Sequence, residues 1–292
     1  MLEAVPSRTA ARVARRRAVH QVLDHPVVFD DPLALRIAGI TDRQMLEADS
    51  HERHPLARLL RAFLAARSRF AEDVIARAVD GGVRQIVILG AGLDTFAYRQ
   101  PYGDRVTVFE VDYPATQAWK RECVANAGIA VPRSLRYVPV DFERQTAFDG
   151  LASAGFDIAA PAFFTWLGVT MYLSEATVMS VLGTIATFPL GSGIVFDYAT
   201  NPATLPDAAR GVVDAMAARV AAAGEPWTLF FEPLALAHAL NRLGFEHIDD
   251  LDGDAINARY FAQRADGLRV GSVGHLLHAR VQAPRPGIAS QR

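Results

Sequence analysis

Cysteine is almost absent from this chain of 292 residues, in which Cys123 stands alone. One thiol cannot close an intramolecular disulfide or build a cysteine cage for zinc, so the chain gives no sign of an oxidising compartment and no metal is assigned. Long apolar runs are also missing: no stretch of about 18 apolar residues, the length a membrane-spanning helix needs, occurs. Neither sign of charge dominates. A formal net charge of −2 gives no bulk attraction to nucleic acid or to an anionic membrane. The opening "MLEAVPSRTAARVARRR" lacks the apolar centre of a secretory signal. A cytoplasmic protein with neither a nucleic-acid nor a membrane partner is therefore expected. Oligomeric state leaves no mark on the sequence.

What is present is an ordinary globular composition, 51% hydrophobic and 21% charged, enough for one large domain or two modest ones. Arg8, Arg12, Arg15, Arg16 and Arg17 crowd one segment. A basic arm for an anionic partner is one reading; a solvated helix face is the expected one. Helical spacing of apolar residues predicts helices over 7–24 and 56–79. Between them Asp31-Pro32 fits a helix start, with Asp31 as N-cap. From Arg84 onward short apolar runs alternate with helical segments. Strands are predicted at 85–89, 105–111, 134–140, 156–167 and 192–198. Helices are predicted near 94–100, 114–127, 143–153, 174–188 and 233–243. Such alternation specifies a parallel α/β sheet covered on both faces and doubly wound. The Ala-rich stretch 201–227 reads as a helical insertion. "FEHIDDL" and "LRVGSVGHLLHARV" are late strands, an antiparallel pair at the sheet edge, and "APRPGIASQR" is a loose tail.

The most informative stretch is "RQIVILGAGLDTFAYR". An apolar strand stops at Gly90-Ala91-Gly92 and a helical segment follows. In open parallel sheets ligands lie beyond the carboxyl ends of the strands, and glycines let the backbone turn sharply and be approached closely. The third glycine of a dinucleotide fingerprint is missing: Thr95 occupies its place and Asp94 precedes it. A phosphate loop with its lysine is missing too. A carboxylate repels a pyrophosphate but suits a cationic group such as a methionine ammonium. The pattern thus points to S-adenosylmethionine ahead of NAD. Asp94 is expected either at the methionine end or as a cap of the next helix. The second strand ends in Glu110 and Asp112, on one side of the strand, and an acid there takes ribose hydroxyls; Asp112, nearer the terminus, is favoured. Asp141-Phe142, closing the third strand, can hydrogen-bond an adenine amino group and pack on the ring.

Taken in order, "QIVILGAGLDTFAYR", "VFEVDYPATQAWK", "YVPVDF" and "WLGVTMYLSEATV" resemble the leucine carboxyl methyltransferase family, including its bacterial S-adenosylmethionine-dependent branch, over roughly residues 10–280. The resemblance implies a class I methyltransferase fold, Rossmann-like, with a seven-stranded sheet whose last strand is antiparallel. It implies a helical N-terminal lid (residues 1–83), a methyltransferase core (84–283) with a helical insertion (200–230), and a tail (284–292). Gly90 with Gly92 would then line the methionine moiety. Asp112 would take the ribose, and Asp141 with Phe142 the adenine. An arginine on the helix before the first strand would bind the cofactor carboxylate. Arg67 and Arg69 are available there, and Arg67 matches the motif. The sequence departs from the family at Leu167, where members often carry a glutamate five residues before the tyrosine of the "YL" motif.

Methyl transfer from a sulfonium needs orientation and electrostatics from the protein. A carboxylate acceptor is already ionised at neutral pH, while a phenol would benefit from a base. None of the eight histidines lies in a motif that selects it, so no base is assigned. Tyr172, after the fourth strand, and Leu167 are placed near the acceptor. An O-methyltransferase acting on a small molecule, such as a secondary metabolite, is the leading expectation. An NAD-dependent oxidoreductase and a catalytically silent cofactor-binding module are the alternatives.

Overall fold

The computed structural model describes residues 7–140, 147–201, 210–211 and 227–282. Before the first strand the described chain is helical: α1 (Arg8–Leu23), α2 (Ala34–Ile37), α3 (Arg43–Ala48), α4 (Ser50–Arg53) and α5 (Pro55–Asp80). Ser7 caps α1 by accepting from the Ala10 amide, and Pro55 occupies the first turn of α5. The helix expected at Asp31-Pro32 starts later, at Ala34. Asp31 Oδ1 caps the preceding turn through the Leu33 amide, while Oδ2 accepts from Thr95 Oγ1 at 2.8 Å. That long-range bond fixes the side chain inside the protein.

The seven strands are β1 (Gln85–Leu89), β2 (Thr107–Asp112), β3 (Leu135–Pro139), β4 (Ala162–Trp166), β5 (Gly193–Ala199), β6 (Phe245–Leu251) and β7 (Gly274–Val281). They lie in the order β3-β2-β1-β4-β5-β7-β6. β1 pairs in parallel with both β2 and β4, and β7 runs antiparallel between β5 and β6. The chain steps outward from β1 to β3, then returns to start β4 on the other side. The topological switch point therefore lies between β1 and β4, where open α/β sheets hold their ligands. β4 starts later than expected because Asp157 folds a turn ahead of Pro161, accepting at Oδ1 from the Ala159 amide.

The connecting helices are α6 (Phe96–Arg99), α7 (Pro114–Asn126), α8 (Ala147–Ser153), α9 (Glu175–Ile185), α10 (Pro233–Leu243) and α11 (Gly253–Tyr260). β1 alternates between two cores, as a sheet covered on both faces requires. Val87 and Leu89 join Phe109, Phe164, Leu182 and Leu240, while Ile86 and Ile88 join Phe70, Val74, Phe163 and Val195 around α5. Among the described residues no helix is long and apolar enough to cross a membrane. Most of the expected insertion 200–230, and the tail 284–292, lie outside the described residues.

Candidate cofactor and acceptor site

β1 ends in Leu89, and the chain turns through Gly90 (φ 67°) and Gly92 (φ 45°), a region L side chains avoid. The Gly90 and Ala91 amides both donate to the Val111 carbonyl, at 2.8 and 3.2 Å, which folds the turn onto the end of β2. Space is as restrictive as φ. A Cβ on Gly90 would lie 2.6 Å from Val169 Cγ2, and one on Gly92 would lie 3.2 Å from the Ala10 Cβ. The loop after β4 thus flanks the turn on one side and α1 on another.

Asp112 closes β2 against this turn. Its Oδ2 accepts from the Gly92 amide at 2.5 Å and its Oδ1 from the Tyr113 amide at 2.7 Å. Burial raises its pKa, and the two backbone donors oppose that rise. Glu110 takes a different role. It is fully buried and ion-paired to Lys120 Nζ at 2.7 Å, with its pKa pushed up to about 7 by burial, against the pull of Lys120. Asp94 Oδ1 accepts from the Phe96 amide at 2.7 Å, at the start of α6.

Within the basic segment of α1, one arginine departs from a solvated face. Arg17 is 5% exposed and donates from Nη2 to the Leu93 carbonyl at 2.5 Å. Its Nε lies 3.6 Å from Asp31 and its Nη1 3.8 Å from Asp94. Arg15 pairs with Asp49 at 2.7 Å, whereas Arg12 is exposed. Arg15 and Arg17 read as solvated in the sequence because the acids they meet, Asp49 and Asp31, lie outside α1.

Across the switch point, α5 presents Arg67, which is 8% exposed. Its Nη1 donates to Asp197 Oδ2 at 3.1 Å. Asp197, wholly buried on β5, uses Oδ1 to accept from the Gly168 amide at 2.5 Å. Gly168 has φ 71°, and a Cβ there would lie 2.7 Å from Arg67 Nη1. Neither Asp197 nor Gly168 was among the residues picked from the sequence. One signal was available: a single carboxylate in "GIVFDYA", a strand buried throughout, needs a cationic partner. Arg69, the other candidate, is half-exposed and pairs with Asp73 on its own helix.

Arg67, Gly168 and Asp197 line a cavity of about 480 Å³. α5 adds Leu56, Leu59, Leu60 and Phe63, and α1 adds Arg12, Arg15 and Arg16. Met171, Tyr172 and Trp227 line it too, and the Trp227 indole donates to the Tyr172 hydroxyl at 3.3 Å. Leu167 packs instead into the core around α5. Asp141 and Phe142 lie outside the described residues. The structure therefore brings the predicted residues together in two groups, Gly90, Gly92 and Asp112 on one side and Arg67 with Tyr172 on the other. The loop Gly168-Val169 joins them, since Gly168 abuts Arg67 and Val169 abuts Gly90.

Such a site matches the chemistry of S-adenosylmethionine. A carboxylate, Asp112, stands at the end of β2, and a buried guanidinium, Arg67, stands across the switch point, groups of the kind that pair with hydroxyls and with a carboxylate. The sequence profile of leucine carboxyl methyltransferase matches residues 10–186. The chain belongs to the leucine carboxyl methyltransferase family. YktD of Bacillus subtilis (strain 168), whose given name places it among the S-adenosyl-L-methionine-dependent methyltransferases, is 32% identical over 94% of this chain and 97% of its own length. A Mycolicibacterium gilvum protein of like name is 31% identical over 75% of this chain and 71% of its own. Among solved structures, a DUF574 family protein from Streptomyces avermitilis superposes with a TM-score of 0.59 at 16% identity, covering 93% of this chain and 97% of its own. A Thermobifida fusca protein described as a methyltransferase gives 0.57 at 18% identity, covering 85% and 93%. These superpositions establish the class I, Rossmann-like methyltransferase fold. As a leucine carboxyl methyltransferase family member the protein is an S-adenosylmethionine-dependent methyltransferase, which sets aside the NAD-dependent reading.

Proposed function

We propose that the protein is an O-methyltransferase whose acceptor is a small molecule with an apolar body and a carboxylate. The cavity beside Arg67 carries this reading. Its α5 wall is apolar, α1 supplies arginines, and no histidine lies among the described residues lining it. Its two carboxylates are engaged: Glu52 lies 3.6 Å from both Arg15 and Arg61, and Asp197 holds Arg67. A phenol, with a pKa of about 10, would call for a base, whereas a carboxylate, with a pKa of about 4, arrives ionised.

In this reading Arg67 binds the cofactor carboxylate, Gly90 and Gly92 let the methionine moiety approach the backbone, and Asp112 accepts from the ribose hydroxyls. Asp141 and Phe142 hold the adenine, a role taken from the family resemblance. When bound, the cofactor would supply an activated methyl on a sulfonium for in-line transfer to the acceptor oxygen. The protein's residues orient the two reactants and exclude water. Within the N-terminal segment expected as a lid (1–83), α1 takes that role, since it lies over the glycine turn, while α5 packs against the sheet. Tyr172, with its hydroxyl fixed by Trp227, orients the acceptor.

The test is transfer of labelled methyl from S-adenosylmethionine to a panel of apolar carboxylic acids and matched phenols. The reading expects alkali-labile label that is released as methanol. Alkali-stable label, appearing only on phenols, would overturn the carboxylate assignment.

A further inference from the structure

We propose that Asp197 is a positioning residue for the cofactor's amino-acid end, fixing Arg67 and the Gly168 backbone in one geometry. The proposal rests on the reading in which Arg67 meets the cofactor carboxylate. A guanidinium carries five donors in a rigid fork. Among the described residues, Arg67 is tied to protein through Nη1, by the 3.1 Å bond to Asp197. The fork's other donors remain for a ligand in the cavity that Arg67 lines. Asp197 is saturated differently. Its Oδ2 meets Arg67 and its Oδ1 meets the Gly168 amide. It is almost wholly buried at the cavity wall and acts through its partners.

The same residue anchors the loop that follows β4, through its carboxylate at Gly168 and its backbone carbonyl at Thr170. Thr170 Oγ1 donates to the Asp197 carbonyl at 2.8 Å, so Gly168 and Thr170 are both anchored to one residue of β5. Between them Val169 lies against Gly90. The carboxylate therefore holds the guanidinium and the Gly168 amide, next to Val169 at the wall of the glycine turn. Gly168 completes the device, because a Cβ at that position would fall 2.7 Å from Nη1 and 2.9 Å from Nη2 of Arg67. The chain lacks an acid at Leu167, and the buried carboxylate beside Gly168 comes from the neighbouring strand instead, where Trp166 pairs with Phe196.

Pre-organising a buried cation against a fixed anion removes the cost of ordering it when a ligand carboxylate arrives. The effect must then depend on the ligand having that carboxylate. The experiment is calorimetric titration of the full chain with S-adenosylmethionine and with its decarboxylated analogue, for wild type, Arg67→Ala, Asp197→Asn and Asp197→Ala. Asp197→Asn keeps the shape and an oxygen for the Gly168 amide, so it carries the test if Asp197→Ala does not fold. The expected result is that each Asp197 variant weakens S-adenosylmethionine by about tenfold or more, while affinity for the analogue changes by less than about threefold. Arg67→Ala should show the same selectivity. Equal loss for both ligands in the Asp197 variants, with Arg67→Ala selective, would make Asp197 purely structural and overturn the proposal. Unchanged S-adenosylmethionine affinity in Asp197→Asn would overturn it too. An unselective Arg67→Ala would overturn the reading of Arg67 itself, and the proposal with it.

Discussion

Arg17 reaches from the first helix into the glycine turn, where its Nη2 donates to the Leu93 carbonyl at 2.5 Å. This contact joins residues 76 apart in sequence and seats α1 over the cofactor side of the sheet. Arg17→Met removes it and takes one cation from Asp31, which keeps Arg99 at 3.4 Å. Breaking a buried charged contact costs about 3 kcal/mol, and that loss is expected in chemical denaturation. The amides of α1 should lose hydrogen-exchange protection before those of β1. A stability change within about 0.5 kcal/mol, with α1 protection intact, would contradict the role given to Arg17.

Gly90 and Val169 form a testable pair. Gly90→Ala introduces a Cβ at φ 67°, 2.6 Å from Val169 Cγ2. The left-handed conformation alone costs about 1–2 kcal/mol, and the overlap adds to it. Val169→Ala removes the overlap and leaves the conformational cost. Unfolding of the two single variants and the double variant should give a favourable coupling of about 1 kcal/mol. Simple additivity would show that the two residues do not meet.

Much of this site was legible because its parts are local in sequence. Gly90, Gly92 and Asp112 belong to adjacent strand ends, and their residue types carry their conformational and charge requirements with them. The strands were legible for the same reason, as runs of β-branched and aromatic residues bounded by turns. The partners of Arg67 and Arg17 were not legible. Arg67 meets Asp197 across 130 residues, and α1 meets the glycine turn through a small residue, Ala10, whose identity advertises nothing. Periodicity cannot say which acid a given arginine finds, so the arginines of α1 read as solvated.

The buried cluster below α1 sets a pH dependence. Asp24 accepts from Arg61 at two sites, 2.6 and 2.9 Å, and lies 2.9 Å from His20 Nδ1. Burial alone would raise its pKa, but the Arg61 and His20 hydrogen bonds outweigh it and hold the carboxyl at about 2, below the ordinary 3.8. The folded state thus binds fewer protons than the unfolded chain in this window. Asp24 therefore stabilises the fold above about pH 4, and its contribution fades as pH falls toward about 2, amounting to about 2 kcal/mol. Unfolding free energies measured from pH 5 downward should fall more steeply for wild type than for Asp24→Asn. Parallel pH profiles would refute the assignment.

Glu110 and Lys120 are both buried, and removing one leaves the other buried and unpaired. Lys120→Met alone should cost about 3–5 kcal/mol, and adding Glu110→Gln should recover part of that loss. Denaturation of the single and double variants checks this. A double variant no better than Lys120→Met would show that the pair is not coupled.

The central claim is that the glycine turn and Asp112 form an S-adenosylmethionine site. Its most direct test is calorimetric titration of the full, folded chain with S-adenosylmethionine, for wild type and Asp112→Ala. One site per chain is expected in wild type and an affinity at least about tenfold weaker in the variant, with both proteins folded by circular dichroism. Full affinity in Asp112→Ala, or no binding by folded wild type at millimolar cofactor, would contradict it.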